Sequence, residues 1–234
     1  MIINALGEKD DTSPHQKKLK LVQLLRSIND QLVSSDLSEE AMAEACKQLE
    51  LTHVRLSGFS ERAYQAVFAP SDDGESAELG YNAKTLQGLY TPVSGCCNAV
   101  ASEVTYFTET SEAHDPVVAH VCYGKAFEGG PGLVHGGFIA ALFDELFGVV
   151  QHRQELPSMT GSLSLRYLKP TPLHTELRYE AWVVETRGRK STMKAVLKNG
   201  DDVLVEADAL FVTVLRKNYQ KLVDQRVAVA KGGS

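Results

Sequence analysis

The chain has 234 residues, 43% of them hydrophobic and 23% charged, with a formal net charge of −6. That is apolar material for one medium domain with an appendage, and the acidic balance excludes the basic footprint of a general nucleic-acid binder. An anionic ligand would therefore have to meet a local cluster of bases.

The N-terminal MIINALGEKDD has no basic stretch followed by an apolar one, so it does not read as a secretory signal. Cys46, Cys96, Cys97 and Cys122 lack CxxC spacing and two are adjacent, which predicts reduced thiols in a cytoplasmic setting. Residues 1–14 read as a mobile leader. Leu19, Val22, Leu25, Ile28 and Leu32 recur at helical spacing and predict an amphipathic helix over about residues 15–33, with Leu25, Ile28 and Leu32 covering core surface. Ser38 before Glu39 and Glu40 predicts a second helix start, with the helix running to about Glu50. Residues 51–95 carry only weak signals, with turn-rich patches at Pro70–Gly74 and Ser94–Gly95. Val117 to Tyr123 predicts a strand.

From Gly137 to Val150 the chain is apolar on every helical face, which predicts a helix buried all round. The adjacent Asp144 and Glu145 break this run, so it is no membrane span and membrane insertion is not expected. Afterwards the period switches to two. Leu163, Leu165 and Tyr167 alternate with Ser162, Ser164 and Arg166, and similar alternation follows around Leu177–Val183, Met193–Leu197 and Val205–Phe211. The Asn199-Gly200 pair marks a hairpin. Four antiparallel strands after one very apolar helix predict a sheet wrapped around that helix.

A carboxylate inside an apolar helix is costly unless paired or used, which makes Asp144 the candidate acid. Glu145, pointing about 100° away, reads as structural or supporting. His135-Gly136-Gly137 precede the helix, whose first amides lack intrahelical partners and favour an acceptor, and glycine lets a carbonyl approach closely. His135 itself reads better as orienting that loop than as a base. No metal or cofactor is expected: His152 and Glu155 have no zinc spacing, and neither a G-x-S-x-G nor a G-x-G-x-x-G occurs. Arg187, Arg189 and Lys190 around Gly188 form the densest basic cluster and read either as a solvated turn or as a grip on phosphates.

Gly132 to Gly148, with its HGG and the nine-residue step to Asp144, resembles the hotdog-fold acyl-CoA thioesterases of the phenylacetate-pathway and thioesterase-superfamily-member types. The resemblance continues through Met159-Thr160-Gly161, Leu165 to Leu173 and Gly188-Arg189-Lys190, and covers about residues 117–215. It implies an α+β hotdog fold, a curled antiparallel sheet around a long helix, here with an N-terminal helical extension over residues 15–50, a thioesterase domain over 51–216 and a tail over 217–234.

The same resemblance implies a homodimer or dimer of dimers, with active sites at the subunit interface and acyl-CoA as the substrate. In it, Asp144 matches the nucleophile or general base and Gly136 the oxyanion donor. His135 matches the histidine of the HGG element, and Thr160 a hydroxyl that assists the attacking water. Some relatives carry Asn six residues before that histidine, where this chain has Gly129, with Glu128 as a possible substitute. Arg187, Gly188, Arg189 and Lys190 would hold the CoA phosphates. A hotdog hydratase or dehydratase using His135, and a non-enzymatic acyl-CoA-binding protein, are the alternatives.

Overall fold

The structure is a computed structural model, and it describes residues 14–59, 89–110, 114–152 and 158–214. Residues 1–13, the Pro70–Gly74 patch, Glu155 and the expected tail at 217–234 lie outside them.

Helix α1 spans Pro14–Ser34 and α2 spans Glu39–Ser57. Ser38 caps α2 through its hydroxyl, which accepts from the Ala41 amide at 3.2 Å. The helix runs seven residues beyond the expected Glu50, because nothing between Leu51 and Ser57 breaks it before Gly58. Strands β1 (Val104–Thr108) and β2 (Val117–Cys122) follow, then a single 3-10 turn at Lys125–Phe127 and the central helix α3, Gly136–His152. The chain then builds β3 (Ser158–Tyr167), β4 (Glu176–Arg187), β5 (Lys190–Asn199) and β6 (Asp202–Thr213). Gly188 and Gly200, at φ 60° and 57°, close the two tight hairpins β4–β5 and β5–β6.

All six strands pair antiparallel in the order β1-β2-β4-β5-β6-β3. Helix α3 touches β2, β3, β4, β5 and β6, so the sheet curls around it. Its side chains Ile139, Leu142, Phe143, Leu146, Phe147 and Val150 enter the core against Tyr179, Met193, Leu197, Val205 and Phe211, the inward residues that the period-two alternation selects. Among the described residues no helix is long and apolar enough to cross a membrane.

Two expectations need correction. Helix α3 is not buried all round within one chain: a stripe through Gly137, Ala141, Asp144 and Gly148 stays partly open. Helix α1 meets the core through Leu19 and Val22, whereas Leu25 and Leu32 are exposed. Below that short apolar contact the same face docks by polar side chains. Arg26 donates to the carbonyls of Gly95 (3.1 Å) and Asn98 (2.9 Å), and Asp30 accepts from the Ala126 amide at 3.1 Å.

Phe147 is fully buried between Phe143 and Phe211. Phe147→Ala should therefore cost roughly 3–5 kcal/mol, since a wholly enclosed ring leaves a cavity. Chemical denaturation of the two proteins measures it, and a loss below about 1 kcal/mol would mean that this end of the helix is not packed as described.

Candidate active site

Three glycines shape the start of α3. Gly129 lies so close that a Cβ there would come within 2.8 Å of His135 Cα, so the position at which the resemblance implies Asn has no room for a side chain here. Glu128 does not take that place. Its carboxylate pairs with Lys125 at 2.5 Å and accepts from the Gly132 amide at 2.7 Å, and these contacts lower its pKa from the usual carboxylate value.

His135 precedes the helix, and its Nδ1 accepts the Gly137 amide at 3.0 Å, the work of an N-cap side chain. Nδ1 is therefore the unprotonated nitrogen, and the ring's proton sits on Nε2. The His135 amide donates to the Phe127 carbonyl at 2.9 Å, which anchors the turn. The Gly136 amide has no hydrogen-bond partner among the described residues and is left at the positive end of the helix dipole.

Two turns on, the adjacent acids have different surroundings. Asp144 is half-buried on the open stripe, and its Oδ1 accepts from the Thr160 hydroxyl at 2.8 Å. A β-bulge makes this contact. In β3, Leu163 and Leu165 face α3, so strict alternation would turn Thr160 outward with Ser162 and Ser164. Gly161 is the extra residue between the pairs Thr160↔Phe211 and Ser162↔Leu210. It resets the alternation and turns Thr160 inward toward Asp144.

Glu145 is the more enclosed acid. One oxygen, Oε1, accepts from the hydroxyls of Ser94, Thr91 (3.3 Å) and Tyr106 (3.3 Å). Burial pushes its carboxyl above the usual range, the hydroxyls oppose that rise and the neighbouring Asp144 charge adds to it. Burial also raises the Tyr106 hydroxyl well above its ordinary value, so it remains a donor. Sequence reasoning missed Thr91, Ser94 and Tyr106. They lie in or just after the stretch of weak periodicity, and only the fold brings them to α3.

Tyr167, at the other end of β3, was missed as well. Its hydroxyl donates to the Gly136 carbonyl at 2.8 Å, and its ring lies 3.3–3.4 Å from where a Gly136 Cβ would stand. The aromatic residue that completes the Leu163-Leu165-Tyr167 alternation is the signal that could have found it.

The hairpin bases do not touch these groups. Arg187 is exposed and pairs with Glu185 at 2.6 Å, whereas Arg189 and Lys190 are exposed with no ion-pair partner among the described residues. Lys190 pairs with Val212, which pairs with Met159, so the turn sits at the Thr160 end of the sheet, two strands away. Among the described residues, no three His, Cys, Asp or Glu side chains converge as metal ligands do.

Residues 131–206 match the model of the thioesterase superfamily. Over 91 residues the chain is 32% identical to acyl-coenzyme A thioesterase THEM4 of Mus musculus, a match covering 38% of this chain and 39% of that protein. The Xenopus laevis protein of the same name is 33% identical over 91 residues, covering 38% of this chain and 41% of its own. The match thus spans about two fifths of the length of these curated relatives. Among solved structures, protein RHA08564, a thioesterase superfamily protein, superposes with a TM-score of 0.68 at 24% identity, over 90% of this chain and 99% of that one. The fold is the hotdog fold, and the likeness extends well beyond the sheet and its helix.

The raised Glu145 carboxyl yields a stability prediction. The folded state holds this proton more tightly than the unfolded one. The contribution of Glu145 to stability is therefore fully present below the ordinary Glu range of about 4.3–4.5 and is lost as pH rises from there through the raised folded value. Glu145→Gln keeps an acceptor for the three hydroxyls and has no charge to bury. Its melting temperature should exceed the wild type's at neutral pH, and the gap should close below the ordinary Glu range. A neutral-pH melt in which the Gln variant is the weaker protein would show that the ionised carboxylate is favoured there.

Proposed function

We propose that this chain hydrolyses acyl-CoA thioesters to free acid and CoA at composite sites shared by two copies. The observation that carries this reading is the spacing along α3. Gly136 and Asp144 are eight residues apart, about 12 Å along a helix axis, whereas reacting atoms must come within roughly 3–3.5 Å. One thioester carbonyl cannot have its oxygen on the Gly136 amide and its carbon at the Asp144 of the same chain.

A two-fold partner resolves this. Strand β3 is a ten-residue edge strand with most of its side chains exposed, and the open stripe of α3 lies behind it. Pairing β3 with its own copy about a two-fold axis is antiparallel. It would bring the Thr160–Asp144 end of one subunit to the Tyr167–Gly136 end of the other, and would cover the stripe. The thioesterase-superfamily match and the acyl-coenzyme A thioesterase relatives support the chemistry.

In this reading, the thioester oxygen accepts from the Gly136 amide at the head of α3, and the partner's Asp144 removes a proton from a water held by Thr160. The water oxygen bonds to the carbonyl carbon, and the negative charge moves to the oxygen facing the amide. Collapse breaks the C–S bond, and the proton on Asp144 returns to the departing thiolate. Direct attack by Asp144 would instead form a mixed anhydride that water opens. The hydratase alternative needs a histidine base, yet His135 already spends its unprotonated nitrogen on Gly137 and offers only an Nε2–H donor. The exposed Arg189 and Lys190 suit the CoA phosphates, with Arg187 diverted to Glu185. Four unbridged cysteines suit a reducing, cytoplasmic setting.

Free-thiol release over a panel of acyl-CoAs tests the function, and absence of release with every substrate would favour the acyl-CoA-binding alternative. Asp144→Asn should keep the fold and lower turnover about a hundredfold or more. Gly136→Pro should abolish the amide donor at the first helical position, where proline's backbone is accepted, with the Tyr167 side chain yielding a few tenths of an ångström to the new Cβ. Mixing these two inactive variants should restore part of the activity, because one of the two sites in a mixed dimer keeps both groups. A site contained in one chain would recover nothing.

Charge reversal at Arg189 and Lys190 should raise KM for acyl-CoA several-fold while sparing a short acyl-pantetheine thioester. Equal effects on both substrates would make the turn a structural element only.

A further inference from the structure

Two successive glycines at a helix start are the least restrained backbone a chain can offer, because neither carries a Cβ. A donor for a developing oxyanion needs the opposite, a direction fixed before the charge appears. In this protein the peptide joining Gly136 to Gly137 is held from both ends. Its carbonyl accepts from the Tyr167 hydroxyl at 2.8 Å, and its N–H donates to His135 Nδ1 at 3.0 Å. A peptide group is planar, so two anchors on opposite atoms fix its rotation, and with it the torsions on either side.

The contact is steric as well as polar. A Cβ on Gly136 would stand 3.2 Å from the Tyr167 hydroxyl oxygen and 3.3 Å from Cζ, so the ring covers this glycine directly. The carbonyl of the preceding peptide, that of His135, accepts from the Phe138 amide at 3.0 Å, and one peptide further back the His135 amide donates to the Phe127 carbonyl. With its neighbours engaged, the Gly136 N–H is the amide of this turn left without a partner among the described residues. Tyr167 reaches it because β3 and α3 run in opposite directions: Thr160 meets Asp144 at one end of the strand and Tyr167 meets Gly136 at the other.

We propose that Tyr167 is a positioning residue for the oxyanion donor, clamping the Gly136–Gly137 peptide jointly with His135 so that the Gly136 amide is aimed before substrate arrives. This rests on the thioesterase reading above and adds to it a residue acting on the rate through backbone geometry, without touching substrate. The raised Tyr167 hydroxyl, a consequence of partial burial, keeps the donor protonated.

Tyr167→Phe retains the ring over Gly136 and removes only the hydroxyl. With an acyl-CoA that the wild type cleaves, kcat should fall about tenfold while KM stays within about twofold, the signature of an interaction realised in the transition state. His135→Asn keeps an acceptor at the δ position and should retain more activity than His135→Ala. Because both side chains hold one peptide, the loss in Tyr167→Phe with His135→Ala should be smaller than the product of the single losses. Light scattering on each variant checks that assembly is unchanged.

A second readout does not depend on turnover: amide hydrogen exchange at Gly137, followed by NMR, should quicken in Tyr167→Phe. If the wild type cleaves acyl-CoA and Tyr167→Phe matches it in kcat, the positioning role is wrong and the function stands. If the wild type cleaves nothing, the function fails. Unchanged Gly137 exchange then refutes the clamp itself, and faster exchange keeps it as a structural device without the oxyanion role.

Discussion

The fold depends on the need to bury one helix that is apolar on every side except at Asp144 and Glu145. A lone sheet cannot cover such a helix, because a six-stranded curl reaches around only part of its circumference. The covered part is the core, where Phe143, Leu146 and Phe147 meet the inward rows of β4, β5 and β6. The uncovered part is the stripe through Gly137, Ala141, Asp144 and Gly148, next to the edge strand β3. The residue types on that stripe are small except for Asp144, so a second surface could approach closely with the carboxylate between them. In the proposed dimer, burial of the helix and assembly of the site would call on the same face.

The two neighbouring acids show how a rotation of about 100° separates roles. Glu145 turns into the fold, where hydroxyls from β1 and the segment before it converge on one oxygen and burial disfavours its charge. Asp144 turns to the open side, where a single hydroxyl from β3 orients it. The first ties the segment around residues 91–106 to the helix, and α1 grips that same segment through Arg26. The N-terminal helix is thus connected to α3 through polar contacts.

The strands after α3 were legible because their alternation reports which face is dry, and the Asn199-Gly200 hairpin was legible because glycine readily adopts the positive φ found there. The central helix and the capping serine of α2 were legible for equally local reasons. Pairing was not. Strand β3 joins β6 and not its sequence neighbour β4, which puts β3 on the edge and makes it available to a second copy. Helix α1 docks through Leu19, Val22 and polar groups at Arg26 and Asp30, since spacing alone does not say which part of an apolar stripe finds a partner.

By itself, the sequence determined the helix, the dry faces of the strands, the glycines at the helix start and the acids within it, because each is a matter of local propensity, period or side-chain chemistry. Tertiary structure alone decided what those residues meet. The Gly161 bulge reverses the facing of Thr160 and gives Asp144 its hydroxyl, the inward row of β3 delivers Tyr167 to the Gly136 carbonyl, and three hydroxyls remote in sequence enclose Glu145. Facing after a bulge depends on where pairing resumes on the neighbouring strand, and a contact across the fold depends on which strands are neighbours. Neither is written in the period of the residues concerned.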